Sequence, residues 1–594
     1  MVEPTVLWSH GHGPQFMENA ATGNHALCKH RVRIDRHNGG FFRRGVGPSR
    51  CRTCSSVTCG AVSREGANIG KLEKLQAPTT ALPPRKPVQR SEQPLEIHRP
   101  LEERNEVAEV SGEGERWVEA GGEPQPEAST SGGCPVYVML PLDSVWLVER
   151  DDGRSNSVIK NGKALELALS TFKQSGVEGV MVDVWWGIVE RAGPRQYDFS
   201  AYKRLFRKVA DAGLKIQAVM SLHSAGGNVG DTCKVPLPQW ILDVGEKNPD
   251  IFYTDRQGDR NRECLSLGCD EIPLFFGRTP VQMYSDFAAA FSETFDDLLG
   301  SVITEITVGL GPAGELRYPA YPEGDGRWRF PGVGEFQCYD KYMLEDLEQT
   351  AKAAGHPEWA YGGPHDAGCY SSRAWETGFF DHSGSFDSPY GHFFLSWYSG
   401  LLVKHADRVL SAVSEVINTP GERKVLRDLT KHSHGCWMYE FEGACQLGVK
   451  LAGVHWWFKT RSHAGELTAG YYNTYNHNGY DAIMDVLKKN DARLSFTCVE
   501  MRDCEHPPDA CCSPQGLLQQ VVESSQRKGV RLAGENALQR YDEFALSRIM
   551  ESAFGNYARS NAMEQITFLR MADVMFDNWN TFEAFISRMK SRAA

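Results

Sequence analysis

No run of about 18 apolar residues occurs in the chain, and its longest hydrophobic stretches are short and end in polar residues, so no membrane-spanning helix is expected. Regular cysteine spacing is missing too. Sixteen cysteines scattered over 594 residues are too dilute for a disulfide framework and suit a reducing compartment. Cys51, Cys54 and Cys59 form the only tight group, and no second pair at ligand spacing follows them, so a zinc site is not expected there. EF-hand-like spacing of Asp and Glu is absent, so calcium is not expected. Basic charge is in deficit: the formal net charge is −12 and the pI about 5.9. That balance disfavours nucleic acid and acidic membranes as partners and suits a neutral or polar substrate.

What is present divides the chain. Residues 21–63 carry eight Lys or Arg against one acid, Asp35, among Ser, Gly and Ala without hydrophobic periodicity. Residues 1–90 therefore read as a disordered basic leader like an organelle transit segment, which would place the protein inside an organelle. Glu3 and Glu18 count against this, and the alternative is a basic tail on a cytoplasmic protein. From Ser91 to Glu127 eleven Glu face three Arg among Pro and Gly. Residues 91–133 read as an acidic linker unable to bury a core.

Order is expected over 134–594. Short β-rich runs alternate there with amphipathic helical stretches: "VYVMLPL", "GVMVDVWW", "IQAVMSLH", "ITEITVGLG", "LAGVHWWF", "LSFTCVEM", "VRLAGENA" and "ITFLRM". Eight such strands with crossover helices predict an α/β fold, a (β/α)8 TIM barrel with long βα loops. A doubly wound open sheet is the alternative, but no Gly-rich fingerprint follows the first strand.

Chemistry in such a barrel gathers where strands end. The polar residues closing the runs are Asp183, His223 with Asp231 beyond it, Glu315, Lys459 and His463, Thr497 and Glu500, Glu535 and Arg570. Taken singly, each is as well explained as a structural group. Gathered at one mouth beside Trp185 and Trp186, read as leaning towards solvent, they suggest glycoside cleavage. That reaction needs a protonated acid at the leaving oxygen, a second carboxylate, and flat rings against sugar faces. Glu315 and Glu535 suit the two carboxylate roles. Each stands in an "AGE" context on strands that face each other across a barrel. Tyr318 and Tyr321 beside Glu315 are expected to offer rings or hydroxyls to sugar.

At this point a resemblance is apparent. "HSAGGNVGD" and "GLGPAGELRYPAY" resemble the two signature segments of the beta-amylases. "MVDVWWG", "HWWFKTRSHAGELTAGYYN", "FTCVEMRD" and "AGENALQRYD" are similar to their other site segments, and the likeness runs from about Cys134 to Arg592. It implies hydrolysis of α-1,4-glucans such as starch from the non-reducing end, with release of β-maltose and inversion, and no cofactor. By the same likeness Glu315 would be the general acid and Glu535 the base that activates water. Their carboxyls would stand about 6.5–9.5 Å apart, with the acid in the drier setting. Asp183, His223 and Asp231 would bind the terminal glucose; Lys459, His463, Thr497, Asn536, Ala537 and Arg570 would line neighbouring subsites. "GGNVGD" would act as a lid and "FTCVEM" as a second mobile loop. Leu538 would wedge between glucose units, with core packing as its alternative. A monomer or weak homo-oligomer is expected.

Departures from the family pattern are Ala225, where many relatives have Cys, Ala320 in place of Ser, and Thr307 where storage-type enzymes have Glu. The stretch 419–443 is longer than the pattern and has no assigned role. Two other readings stay open: a catalytically silent relative that binds glucan and regulates, and a retaining β-glucanase with carboxyls only about 5–5.5 Å apart. Retention of acid, base and lid segments argues against the silent one. No separate starch-binding module is visible.

Overall fold

Eight short segments rich in aliphatic residues run parallel in the computed structural model: β1 (Val136–Met139), β2 (Gly179–Trp185), β3 (Lys215–Ser221), β4 (Ile303–Val308), β5 (Gln446–Leu451), β6 (Ala492–Phe496), β7 (Leu532–Glu535) and β8 (Ile566–Phe568). Each pairs with the next, and β8 returns to β1 with Val136 opposite Ile566, so the sheet closes. Closure leaves no edge strand and excludes the open-sheet alternative. The structure describes residues 132–149, 155–228, 230–417, 445–555 and 562–592. The leader and linker, apart from Gly132 and Gly133, therefore lie outside the described residues, as do Cys51, Cys54, Cys59 and the stretch 419–443.

Amphipathic helices fall between the strands as their patterns predict, including Gly162–Ser175, Ser200–Asp211, Pro280–Thr294, Pro514–Lys528 and Trp579–Ser591. Thr279 caps the third of these through a reciprocal capping box with Gln282, which satisfies two otherwise unpaired end donors. Two hairpins stand outside the barrel, Val145–Glu149 with Ser155–Ile159 and Phe252–Thr254 with Arg260–Leu265.

The fifth strand differs from the expectation. "LAGVHWWF" was the apolar run, yet β5 ends at Leu451, its first residue. Beyond it Trp457 takes a left-handed backbone with φ 63°. The indole N–H groups of Trp456 and Trp457 donate to the carbonyls of Gly332 and Pro331. A buried loop satisfies these rings, and an apolar run alone does not separate that outcome from a strand.

Inside the barrel, Met139, Met181, Val219 and Leu569 form a small apolar plug. A buried polar network shares the interior. Glu305 on β4 accepts from Arg493 Nη1 at 2.8 Å, Gln565 Nε2 at 2.7 Å and Thr307 Oγ1 at 3.1 Å, while Thr567 Oγ1 donates to Gln217 at 2.9 Å. Gly448 makes room for this carboxylate, since a Cβ there would stand 2.4 Å from Glu305 Oε1. Thr307 thus serves Glu305. Because Glu305 is only 2% exposed, Arg493→Met leaves its charge poorly compensated. Denaturant unfolding of that variant is expected to show a loss of about 3–5 kcal/mol, whereas an unchanged midpoint would remove the network from the stability of the barrel.

Candidate functional site

The parallel strands all deliver their last residues to one rim, and the candidate residues collect there in three groups. Asp183 on β2 accepts a hydrogen bond from Ser221 Oγ on β3 at 2.9 Å. Arg570, just past β8, places Nη1 3.8 Å from Asp183 Oδ2 and donates to the Leu140 carbonyl at 3.3 Å. His223 packs edge-on against Trp185 with ring centroids 5.3 Å apart. Its Nδ1 is buried without a hydrogen-bond partner, and burial pushes the imidazole down to about 4 against the opposing pull of Asp183 and Asp231. Such a histidine is neutral at ordinary pH.

The second group surrounds Glu315. Its Oε2 accepts from Arg317 Nε at 2.6 Å, and the Arg317 guanidinium lies 4.4 Å from the centroid of the Tyr321 ring. Gly314, with φ 77°, permits the turn into Glu315, and its missing Cβ would touch His223 Cε1 at 3.5 Å. Glu263, from the second hairpin, ties this turn to the glycine-rich loop by accepting from Ala313 N at 2.8 Å and Asn228 Nδ2 at 2.6 Å. Burial pushes Glu263 upward while Arg317 opposes it. Asp231 closes its own loop: Oδ2 accepts from the amides of Gly226, Gly227 and Asn228 at 2.7–3.0 Å.

The third group is built on Glu535, the last residue of β7. Lys450 on β5 donates to Glu535 Oε1 at 3.0 Å and stands 2.8 Å from Oε2, which itself has no hydrogen-bond partner. Burial drives the Glu535 carboxyl above the usual range, Lys450 and Arg570 oppose this, and the charge of Glu315 adds to the rise. The two glutamates are therefore in electrostatic reach. They are also joined through the backbone, because Leu316 N donates to the Lys450 carbonyl at 2.9 Å. The distribution of water differs from the expectation: the Glu535 side chain is 8% exposed and that of Glu315 15%, so Glu535 is the drier of the two.

Behind Glu535, Glu500 accepts from the amides of Ala537 at 3.0 Å and Leu538 at 2.6 Å, and burial pushes its carboxyl up to about 7. Asn536 uses its amide on backbone, donating to the Leu538 and Leu569 carbonyls and accepting from Leu569 N. Leu538 is partly buried against the core. Thr497 accepts from Gly453 N at 2.8 Å. Lys459 pairs with Asp503 at 3.1 Å, and His463 Nδ1 lies 2.9 Å from Glu466 Oε2 in a buried cluster with Asn473.

Several aromatic expectations need correction. Trp185 and Trp186 are buried, at 1% and 0% exposure, with their indole N–H groups donating to Leu142 O and Glu190 Oε2. Tyr318 stacks on Tyr398 with centroids 3.9 Å apart and donates to its carbonyl, so it belongs to the core. Ala225 bridges to Val235, and Ala320 is buried with its carbonyl bound to Glu335 N. Sequence reading missed Lys450, Arg317, Glu263 and Asn228. Lys450 was hidden by the misplaced fifth strand; in "QLGVKL" it alternates with the outward-packed Val449 and Leu451, which is the signal that could have found it.

The Lys450 charge lowers the Glu535 pKa, so its removal raises it. A group needed in its ionised form loses activity as pH falls through that pKa. With Glu535 in the base role that the resemblance implies, the acidic limb of kcat/KM on a glucan should move upward in Lys450→Met by about 1–3 pH units. An acidic limb that stays in place would separate Lys450 from the titration of Glu535.

Comparison with known proteins agrees with this arrangement. The family model described as glycosyl hydrolase family 14 matches residues 137–594. "Beta-amylase 2, chloroplastic" from Oryza sativa subsp. japonica is 45% identical over 548 residues, 92% of this chain and 91% of the relative. "Beta-amylase 1, chloroplastic" from Arabidopsis thaliana is 46% identical over 466 residues, 77% of this chain and 76% of the relative. The crystal structure of the catalytic domain of beta-amylase from Paenibacillus polymyxa superposes with a TM-score of 0.61 at 29% identity, covering 78% of this chain and all of that one. With a family model spanning its whole barrel, the chain belongs to glycosyl hydrolase family 14.

Proposed function

We infer that the protein is a beta-amylase, an inverting hydrolase that cleaves α-1,4-glucosidic bonds of starch and related glucans from non-reducing ends and releases β-maltose. The observation that carries this reading is the pairing of Glu315 and Glu535 through Lys450: its backbone carbonyl holds the Glu315 turn and its ammonium holds the Glu535 carboxylate. Glu315 donates a proton to the glycosidic oxygen as the bond to the anomeric carbon breaks. Glu535 accepts a proton from the water that attacks the same carbon from the opposite face.

Asp183, His223, Asp231 and Arg570 lie around the end of this arrangement and suit the hydroxyls of the terminal glucose and its neighbour. Lys459, His463, Thr497, Asn536 and Ala537 belong to the surrounding subsites. Since Asn536 and Ala537 N are engaged by backbone and by Glu500, their part is to position the turn after Glu535. The relatives named chloroplastic, together with the basic leader, support a plastid location.

Purified protein given soluble starch should yield maltose whose first-formed anomer by proton NMR is β. α-Maltose, mixed oligosaccharides or no sugar would refute the reading. Glu315→Gln should lose at least about a hundredfold in kcat, the lower end of what positioned proton transfer contributes, while still binding maltose. Near-normal turnover in that variant would exclude Glu315 as the acid. Residues 1–133 fused to a fluorescent reporter should carry it into plastids, and a diffuse cytosolic signal would refute the location.

A further inference from the structure

A group of side chains beside the rim has no part in the glucan reading. His455 follows β5, and Met501, His506 and Cys512 follow β6. Ligand atoms of His455, His506 and Cys512 all lie within 4.8 Å of one another. The two imidazole rings are 4.4 Å apart between centroids. His455 Nε2 stands 3.1 Å from Met501 Sδ, which brings a thioether to the same place. Three of the four ring nitrogens, His455 Nδ1 and both of His506, are buried without a hydrogen-bond partner. An imidazole N–H always needs an acceptor, so leaving these atoms unmatched costs about 1–3 kcal/mol each. Phe330 covers both rings, at 6.4 and 6.5 Å between centroids.

We propose that His455, His506 and Cys512, backed by Met501, form a site for a single thiophilic monovalent cation, Cu+. Two neutral nitrogens, one thiol and a nearby thioether are a soft donor set, and hard cations such as Mg2+ or Ca2+ require oxygen. Charge selects among soft ions. One Cu+ on one thiolate is neutral overall, whereas Zn2+ would leave a net positive charge in a pocket whose His455 and Cys512 are 2% and 3% exposed. Cys512 is a free cysteine. Binding therefore forms the Cu–S bond and releases one proton to solvent, with no change of oxidation state.

The position gives the ion a structural consequence. Backbone bonds already lace 455–459 to 510–513: Ser513 N to His455 O, Trp457 N to Ala510 O and Lys459 N to Cys511 O, at 2.9–3.0 Å. A cation held by His455 on one side and by His506 and Cys512 on the other would clamp the two loops that carry Lys459 and follow Thr497.

The test loads the full-length chain with Cu+ anaerobically and, separately, with Zn2+, then removes loose metal by gel filtration against a weak chelator. The unaltered protein should retain one equivalent of Cu+ more than either His506→Gln or Cys512→Ser, with nitrogen and sulfur scatterers at copper in its X-ray absorption spectrum. Cys369→Ser, which removes an exposed thiol, should match the unaltered protein. Equal Cu+ in the parent and both site variants, or retention of Zn2+ in place of Cu+, overturns the proposal. A correctly folded variant is recognised by an unchanged far-ultraviolet circular dichroism spectrum and thermal midpoint without copper.

Discussion

A lysine ammonium and a carboxylate, each less than a tenth exposed, meet inside the mouth of the barrel, and much of the site depends on that contact. Taking two charges out of water is costly unless geometry and further hydrogen bonds compensate. Here Lys450 reaches both oxygens of Glu535 but hydrogen-bonds only one. The remaining oxygen has no hydrogen bond although the ammonium stands 2.8 Å from it, while burial and the nearby Glu315 both resist ionisation and Lys450 and Arg570 favour it. Burial leads among these opposing effects, and the carboxyl is displaced upward from the ordinary carboxylate range.

Closure of the sheet makes that contact possible. In a parallel barrel, inward positions recur every second residue and each strand ends at the same rim, so β5 and β7 can present Lys450 and Glu535 to each other without loop rearrangement. The buried Glu305 network with Arg493, Gln565 and Thr307 lies on the other strands, before they reach the rim. Its hydrogen bonds tie β4, β6 and the approach to β8 together, which fixes the relative heights at which the strands end. Glu500 and Asn536 continue the same work at the top, holding the turn after Glu535 against β8. Rigid positioning of this sort is what a displacement reaction with little tolerance for misplacement requires.

The alternation of β-rich and amphipathic stretches was enough to read the barrel and its rim from sequence, and Glu315, Glu535, Asp183 and Arg570 fall together there. Individual surroundings were less legible. The run "LAGVHWWF" looked like a strand because indole rings are apolar, yet each Trp also carries an N–H that a loop carbonyl can satisfy. Misplacing that strand hid Lys450. Arg317 was equally silent, since an arginine two residues beyond a glutamate is unremarkable until Gly314 turns the chain and brings Nε to Glu315. Trp185, Trp186 and Tyr318 were read as sugar-facing for their ring faces, but the core claimed them because burying a large ring outweighs exposing it when a carbonyl or carboxylate is at hand.

The glutamates are set apart by their cations as well as by exposure. Glu315 accepts from a guanidinium that is itself shared with Asn228 and Tyr321, on a turn anchored by Glu263 to the glycine-rich loop. Glu535 is hydrogen-bonded to one ammonium on a strand. The glycine-rich loop is thus connected to Glu315 through Asn228 and Arg317, whereas the Lys450 pair sits on strands of the closed sheet. The two carboxylates so arranged differ in what holds them: Glu315 is tied through Arg317 and Asn228 to the glycine-rich loop, while Glu535 is held by the barrel itself.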